Sequence, residues 1–217
     1  MGAFTDGLPP QRLRFAIRLA IAALAVLWAQ PARTQEASPN ELLGAVRLLG
    51  GAVQVLPAAL RSSRLQEATE WLQNNVRKTP AEKVSQEYVR SLERAAALLA
   101  GQPNREVVDD VTRELETKVE HCERLGVGMG GVVHVSVTTK RGGRVVNDWE
   151  VLYQLKFDEW LKTPPRNFLR LSSPTEMNVE PGRYWIWARE TATGRTSNRV
   201  LAEVAGQQRF AVDVPVP

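Results

Sequence analysis

Residues 115–138 read LETKVEHCERLGVGMGGVVHVSVT, and within this stretch the spacing of apolar residues changes from helical to extended. Before Gly126 the positions Val111, Leu115, Val119 and Cys122 recur at three and four, which places them on one face of a helix. After Gly131, Val133, Val135 and Val137 alternate with His134, Ser136 and Thr138, as in a strand with one buried face. Gly126-Val127-Gly128-Met129-Gly130-Gly131 lies between them as the joint. A dinucleotide-binding glycine loop follows a strand and opens a helix; the order here is reversed, so these glycines read as turn and linker. The expected fold class is α+β: an N-terminal helical bundle over residues 38–126, a Gly-rich linker over 127–131 and a C-terminal antiparallel β-sandwich over 132–217.

Toward the N-terminus the helical spacing continues. Ser38-Pro39-Asn40-Glu41 is a capping box with Pro at the first helical position, followed by the stripe Leu42, Leu43, Val46 and Leu49. Gly50-Gly51 is expected to weaken or bend that helix, and Pro57 to break it. A second helix is expected from Ser63 to Lys78, with Leu65, Ala68, Leu72 and Val76 inward and Trp71 beside them. Thr79-Pro80-Ala81-Glu82 repeats the capping pattern and is expected to open a third helix carrying Val84, Tyr88, Leu92, Ala95 and Leu99. Gly101 is expected to end that helix in a left-handed turn. Asn104 caps a fourth, which Gly126 terminates. Connections this short make neighbouring helices antiparallel.

Toward the C-terminus, six strands are expected. Val133–Thr138 is the first, followed by a turn at Lys140-Arg141-Gly142-Gly143. Trp149–Leu155, Phe168–Ser172, Tyr184–Ala188, Val200–Val204 and Phe210–Val214 are the others. Phe157-Asp158-Glu159-Trp160-Leu161 reads as one helical turn within an irregular insert at 157–165. On the strand at 184–188, inward Tyr184 and Ile186 leave Trp185 and Trp187 together on the opposite face, between Arg183 and Arg189. Paired indoles with guanidinium groups suit a protein contact or stacking on sugar rings. Coverage of the same face by the insert or by the helices is the structural alternative.

The phrase Glu180-Pro181-Gly182-Arg183-Tyr184-Trp185-Ile186-Trp187-Ala188 resembles one found in prealbumin-like sandwich domains, including the carboxypeptidase regulatory-like and PEGA families. Pro-Gly supplies a tight turn, and Tyr starts a strand whose inward residues follow at two and four. The resemblance spans about residues 130–217 and implies a non-enzymatic accessory or adhesion-type sandwich, with no catalytic residue carried over. The density of Trp and the 157–165 insert depart from that pattern.

Residues 1–32 read as a secretory signal: Arg12, Arg14 and Arg18 precede the uncharged stretch Leu19–Ala29, which is shorter than a membrane span. Residues 33–37 are expected to be a short disordered N-terminus. Retention of the segment as a signal anchor is the one route to a membrane; otherwise the protein is exported to the periplasm or beyond the cell. The chain has 217 residues, 28 Lys and Arg against 24 Asp and Glu, and one Cys. One Cys makes no internal disulfide framework and no Cys-rich zinc site, and Cys122 lies too far along the chain for a lipid anchor at a mature N-terminus. Half of the net +4 belongs to residues 1–32; residues 33–126 carry −1 and residues 127–217 carry +3. Arg166, Arg170, Arg183, Arg189, Arg195 and Arg199 supply most of that excess, too sparsely for a nucleic-acid surface, and export argues against one.

No catalytic or metal constellation stands out. His121-Cys122 between Glu120 and Glu123 points in several directions from a helix, and Cys122 continues an apolar stripe, so a buried structural thiol is expected. His134 is the other His of the mature chain and adjoins no nucleophile motif. Asp109-Asp110 and Asp158-Glu159 read as solvated surface charges. The sequence thus points to an exported, non-enzymatic binding or scaffolding protein of a bacterial cell envelope, without cofactor or metal. Its contact surface is expected around Trp185 and Trp187, flanked by Arg183 and Arg189, and its partner is a protein or an envelope glycan. A carbohydrate-binding module using the same aromatics is the alternative, and an enzyme with an unrecognised site ranks below both.

Overall fold

The structure, a computed structural model, describes residues 37–79, 84–101, 103–126, 128–162, 164–167 and 174–217. The expected signal segment 1–32, residues 33–36 and the expected strand at 168–172 lie outside the described residues. Helices occupy the N-terminal half and sheets the C-terminal half, an α+β arrangement. No described helix is long and apolar enough to cross a membrane.

Four α-helices are described: α1 Pro39–Val55, α2 Ser63–Asn75, α3 Gln86–Ala100 and α4 Arg105–Leu125. The capping box at α1 forms as read, with Ser38 Oγ accepting from Glu41 N and Glu41 Oε2 accepting from Ser38 N. Gly50-Gly51 does not interrupt α1, which runs unbroken to Val55. Packing explains this: Leu42, Val46, Leu49 and Val53 all lie in the core, and burial of such side chains outweighs the glycine penalty of about 1 kcal/mol each. The helix stops before Pro57. Ala37, expected in a disordered terminus, is instead buried and donates its N–H to Val84 O at 2.9 Å.

α3 begins later than the Thr79-Pro80-Ala81-Glu82 reading required. Ser85 is its N-cap, its Oγ accepting from Tyr88 N at 3.1 Å, while Pro80, Ala81 and Glu82 lie outside the described residues. Thr79 Oγ1 accepts from Met129 N instead. Gly101 ends α3 at φ −65°, ψ −133°, not in a left-handed turn. Asn104 and Gly126 act as read: Asn104 Oδ1 caps α4, and Gly126 closes it at φ 60°. Within the expected linker, Met129 is fully buried in the helical core.

Eight strands are described where six were expected. One sheet holds β1 Val133–Arg141, β2 Arg144–Val145, β5 Thr175–Val179 and β8 Arg209–Pro215, in the order β2-β1-β5 with β8 on β1. The other runs β4-β3-β6-β7, from Arg166–Asn167, Trp149–Leu155, Gly182–Glu190 and Val200–Val204. All pairings are antiparallel except β1 with β8, which is parallel. Expecting antiparallel pairing throughout was therefore wrong at that edge: Val133 to Val137 use their other side for β5. Gly142 and Gly143, both at positive φ, close the two-residue hairpin between β1 and β2. Val133, Val135 and Val137 from the first sheet share one core with Trp149, Val151, Tyr184 and Ile186 from the second. Leu98 of α3 packs against this core and against the helical one.

Because a Cβ on Gly51 meets only open space inside α1, Gly51→Ala is expected to stabilise the protein by about 0.5–1 kcal/mol. The measurement is a higher urea midpoint with an unchanged m-value.

Candidate functional site

The site grows from the alternation of β6. Tyr184, Ile186 and Ala188 enter the sheet core, so Arg183, Trp185, Trp187 and Arg189 share the opposite face. The register then gives each a different neighbour. Arg183 lies opposite Glu203, Trp185 between Leu201 and Gln154, Trp187 opposite Leu152, and Arg189 opposite Glu150.

These four residues do not form one open surface. Trp187 is only 6% exposed, with the Arg199 guanidinium 4.8 Å from its ring centroid in a cation–π contact. Arg183 is equally buried: its N–H donates to Glu114 Oε2 at 2.8 Å, and its Nη1 lies 3.5 Å from Asp110 Oδ1. Arg189 is exposed, but Glu150 Oε2 accepts from its Nε at 3.0 Å and its Nη2 at 2.5 Å. Trp185 alone of the two indoles reaches the surface, half-buried, with Nε1 donating to Glu159 Oε2 at 2.8 Å. Glu159 also pairs with Arg199, so one carboxylate ties the insert to both indoles.

Beside Trp185 stands Leu201, 42% exposed. Trp185 and Leu201 thus form a cross-strand apolar pair at the surface, rimmed by Glu159, Arg199, Glu150 and Arg189. Leu201 was absent from the sequence reading, although its outward place in the alternation Val200-Leu201-Ala202 was legible. Trp160, 37% exposed, belongs to the short 3-10 helix at Lys156–Leu161 and donates Nε1 to Asp110 Oδ2 at 3.1 Å. The rim ion pairs are exposed and hold the surface in register more than they stabilise it, each contributing about 0–1 kcal/mol.

A second assembly joins the helices to the sheets, and it is built from charges that the sequence presents as surface residues. Lys118 of α4 is fully buried. Its Nζ donates to Pro181 O at 2.6 Å, lies 3.1 Å from Glu114 Oε1 and 3.7 Å from Glu180 Oε2, and stands 4.9 Å from the Tyr88 ring centroid. On α3, buried Arg94 places Nε 2.8 Å from Asp158 Oδ1 and Nη1 3.1 Å from Glu87 Oε1, and Arg166 of β4 also pairs with Glu87. Asp110 accepts from Lys156 Nζ at 2.5 Å as well as from Trp160. Burial pushes the Asp110 carboxyl up, but the hydrogen bonds from Lys156 and Trp160 and the charges of Lys156 and Arg183 hold it below the ordinary value. Asp158 goes the other way: burial raises it, and Arg94 only partly opposes the rise.

Gly182 has its reason in this assembly. Its φ is not positive, so no turn demands glycine there, contrary to the Pro-Gly turn reading. A Cβ at 182 would instead collide with Glu114 Oε1 and approach Leu155 Cδ2 to 2.9 Å. The missing side chain is the space in which the Glu114 carboxylate reaches Arg183 N–H. Alongside, a groove of about 690 Å³ opens between α2, α4 and the second sheet, with Trp71, Glu67, Arg113 and Glu203 in its lining.

Cys122 is buried as read, its thiol pushed up to about 11 by burial. His121 is buried too, held below its ordinary value by burial and by the Lys118 charge. His134 Nδ1 lies 3.1 Å from Asn178 Oδ1 on the neighbouring strand. Among the described residues, no group of three His, Cys, Asp or Glu side chains is placed to hold a metal ion. Compared with family models and with curated proteins, the chain matches none.

Lys118→Met leaves Glu114 and Glu180 buried beside each other without their shared cation and is expected to cost about 3–5 kcal/mol, read by urea denaturation. Gly182→Ala inserts a methyl group where the Glu114 carboxylate sits and is expected to cost about 1–3 kcal/mol by the same measurement.

Proposed function

We propose that this chain is an exported, non-enzymatic binding or scaffolding protein of a bacterial cell envelope, working in the periplasm or outside the cell. In this reading the helices form a bundle that carries a prealbumin-like β-sandwich, and the sandwich contacts a protein partner around Trp185. Support for the sandwich comes from the single core shared by both sheets and from the Tyr184 alternation. Support for export comes from the charge and apolar pattern of residues 1–32. The non-enzymatic reading is supported by where the reactive side chains lie: Cys122 and His121 are packed into the helical half.

The observation that carries the contact surface is the cross-strand pair Trp185 and Leu201. A half-exposed indole beside an exposed leucine, ringed by charged residues, has the anatomy of a protein-contact centre with a polar rim. Stacking on a sugar ring needs an open indole face, and Trp187 gives its face to Arg199. A protein partner therefore fits this surface better than a glycan, narrowing the two-indole expectation to Trp185 with Leu201.

The test is photocrosslinking from position 201 in envelope extracts. A specific adduct is expected, and Trp185→Ala is expected to abolish it while leaving the circular dichroism spectrum intact. Trp187→Ala is a poor probe, because losing a buried Trp costs about 3–5 kcal/mol by itself. An adduct that forms equally well in folded Trp185→Ala overturns the surface assignment. Saturable quenching of Trp fluorescence by one glycan of a broad panel transfers it to the carbohydrate reading.

A further inference from the structure

We propose that the contact between the helical half and the sheets is a pH-dependent latch, closed while the Glu180 side chain carries its proton and weakened when it ionises. Glu180 lies in the crossover from β5 of one sheet to β6 of the other and is only 3% exposed. Its backbone is pinned, since its carbonyl oxygen accepts from Tyr184 Oη at 2.9 Å. Its carboxyl oxygens, by contrast, take no hydrogen bond from any described residue. The nearest cation among the described residues, Lys118 Nζ, is 3.7 Å away and gives its shorter contacts to Pro181 O and Glu114. A buried carboxylate with one distant, shared cation is costly, whereas a carboxylic acid at the same place brings no charge.

The surrounding charges strengthen this reading, because they balance before Glu180 ionises. α4 contributes Glu114 and Lys118, α3 contributes Glu87 and Arg94, the Lys156–Leu161 turn contributes Asp158, and β4 contributes Arg166. Lys118 pairs with Glu114, Arg94 with Asp158 and Glu87, and Arg166 with Glu87, which makes three cations for three carboxylates. Tyr88 of α3 and Tyr184 of β6 add buried phenols and Tyr153 of β3 a half-buried one, each with its ionisation pushed up by burial. Arg183 spends its guanidinium on Asp110, which also holds Lys156. Among the described residues, an ionised Glu180 is thus a fourth negative charge with no cation left over.

Burial pushes the Glu180 carboxyl up to about 7; Lys118 and Arg94 oppose the rise, and Glu87 and Glu114 add to it. In the closed form the proton is therefore kept over the interval from the ordinary 4.5 to about 7, where an opened Glu180 has lost it. The stabilisation is complete below that interval, declines through it and is gone above it. Asp158 and Glu93 shift in the same direction, while Glu87, Asp110 and His121 shift downward and lose stability as pH falls. The comparison with Glu180→Gln, a neutral mimic of the protonated acid, isolates the one group.

The experiment is hydrogen–deuterium exchange of the full chain at about pH 5.5 and pH 8, corrected for intrinsic exchange, following α4 and the Arg183 amide that donates to Glu114. In the unmutated protein, protection is expected to fall about tenfold or more between the two conditions, given the width of the Glu180 interval. Glu180→Gln is expected to keep the low-pH protection at both. An equal fall in both proteins overturns the proposal. Should the variant not fold, carboxyl carbon NMR of glutamate-labelled unmutated protein decides. A glutamate titrating near 7 together with the Arg183 amide shift supports the latch, and glutamate midpoints all below about 5.5 overturn it.

Discussion

The ammonium group of Lys118 is the contact on which the relation between the two halves rests. It belongs to α4, touches the carbonyl of Pro181 between the two sheets, and lies against a buried tyrosine ring of α3. An ammonium ion removed from water needs full compensation, and the compensating groups come from α4 itself, from α3 and from the crossover into β6. Satisfying it therefore fixes α4 against the start of β6 to within a hydrogen-bond length. Glu114, one turn earlier on α4, repeats the constraint by accepting from Arg183 N–H, and Gly182 supplies the space for it. Apolar packing alone fixes such a contact loosely, because it has no direction.

That constraint decides how much of the second sheet remains available. The face carrying Arg183 is drawn under α4, and Lys156–Leu161 folds back so that Glu159 and Trp160 reach Trp185 and Asp110. Along this face of β6, Arg183 and Trp187 are covered, Arg189 is exposed but paired with Glu150, and the open apolar stretch is where Trp185 meets Leu201. The junction and the proposed contact surface are therefore neighbours on one strand.

Much of the fold was legible because alternation and helical spacing are local signals. Val133, Val135 and Val137 had to share a face, and so did Leu92, Ala95 and Leu99, whatever covered them. β5 escaped notice because Thr175, Met177 and Val179 make a weak apolar face, and β2 and β4 are two residues each. The parallel placement of β8 was illegible for a different reason: alternation gives a strand its faces but not its direction. The third helix is capped by Ser85 and Thr79 turns to Met129, while Pro80, Ala81 and Glu82 of the expected cap lie outside the described residues.

The candidate site divides along the same line. Sequence by itself determined that Arg183, Trp185, Trp187 and Arg189 share one face, that Cys122 is interior, and that helices precede strands. Each of these follows from spacing along the backbone. Tertiary structure alone decided that Trp187 is covered and Trp185 is not, that Leu201 completes the surface pair, and that Lys118, Arg94 and Glu180 are buried. Glu114 and Lys118 look in sequence like an ordinary helix-surface pair at i, i+4. Whether such a pair faces water or a neighbouring sheet depends on partners more than 60 residues away, at Pro181 and Arg183. An apolar residue is satisfied by any core, so its burial can be read locally; a charge is satisfied only by particular partners, and those are known once the chain has folded.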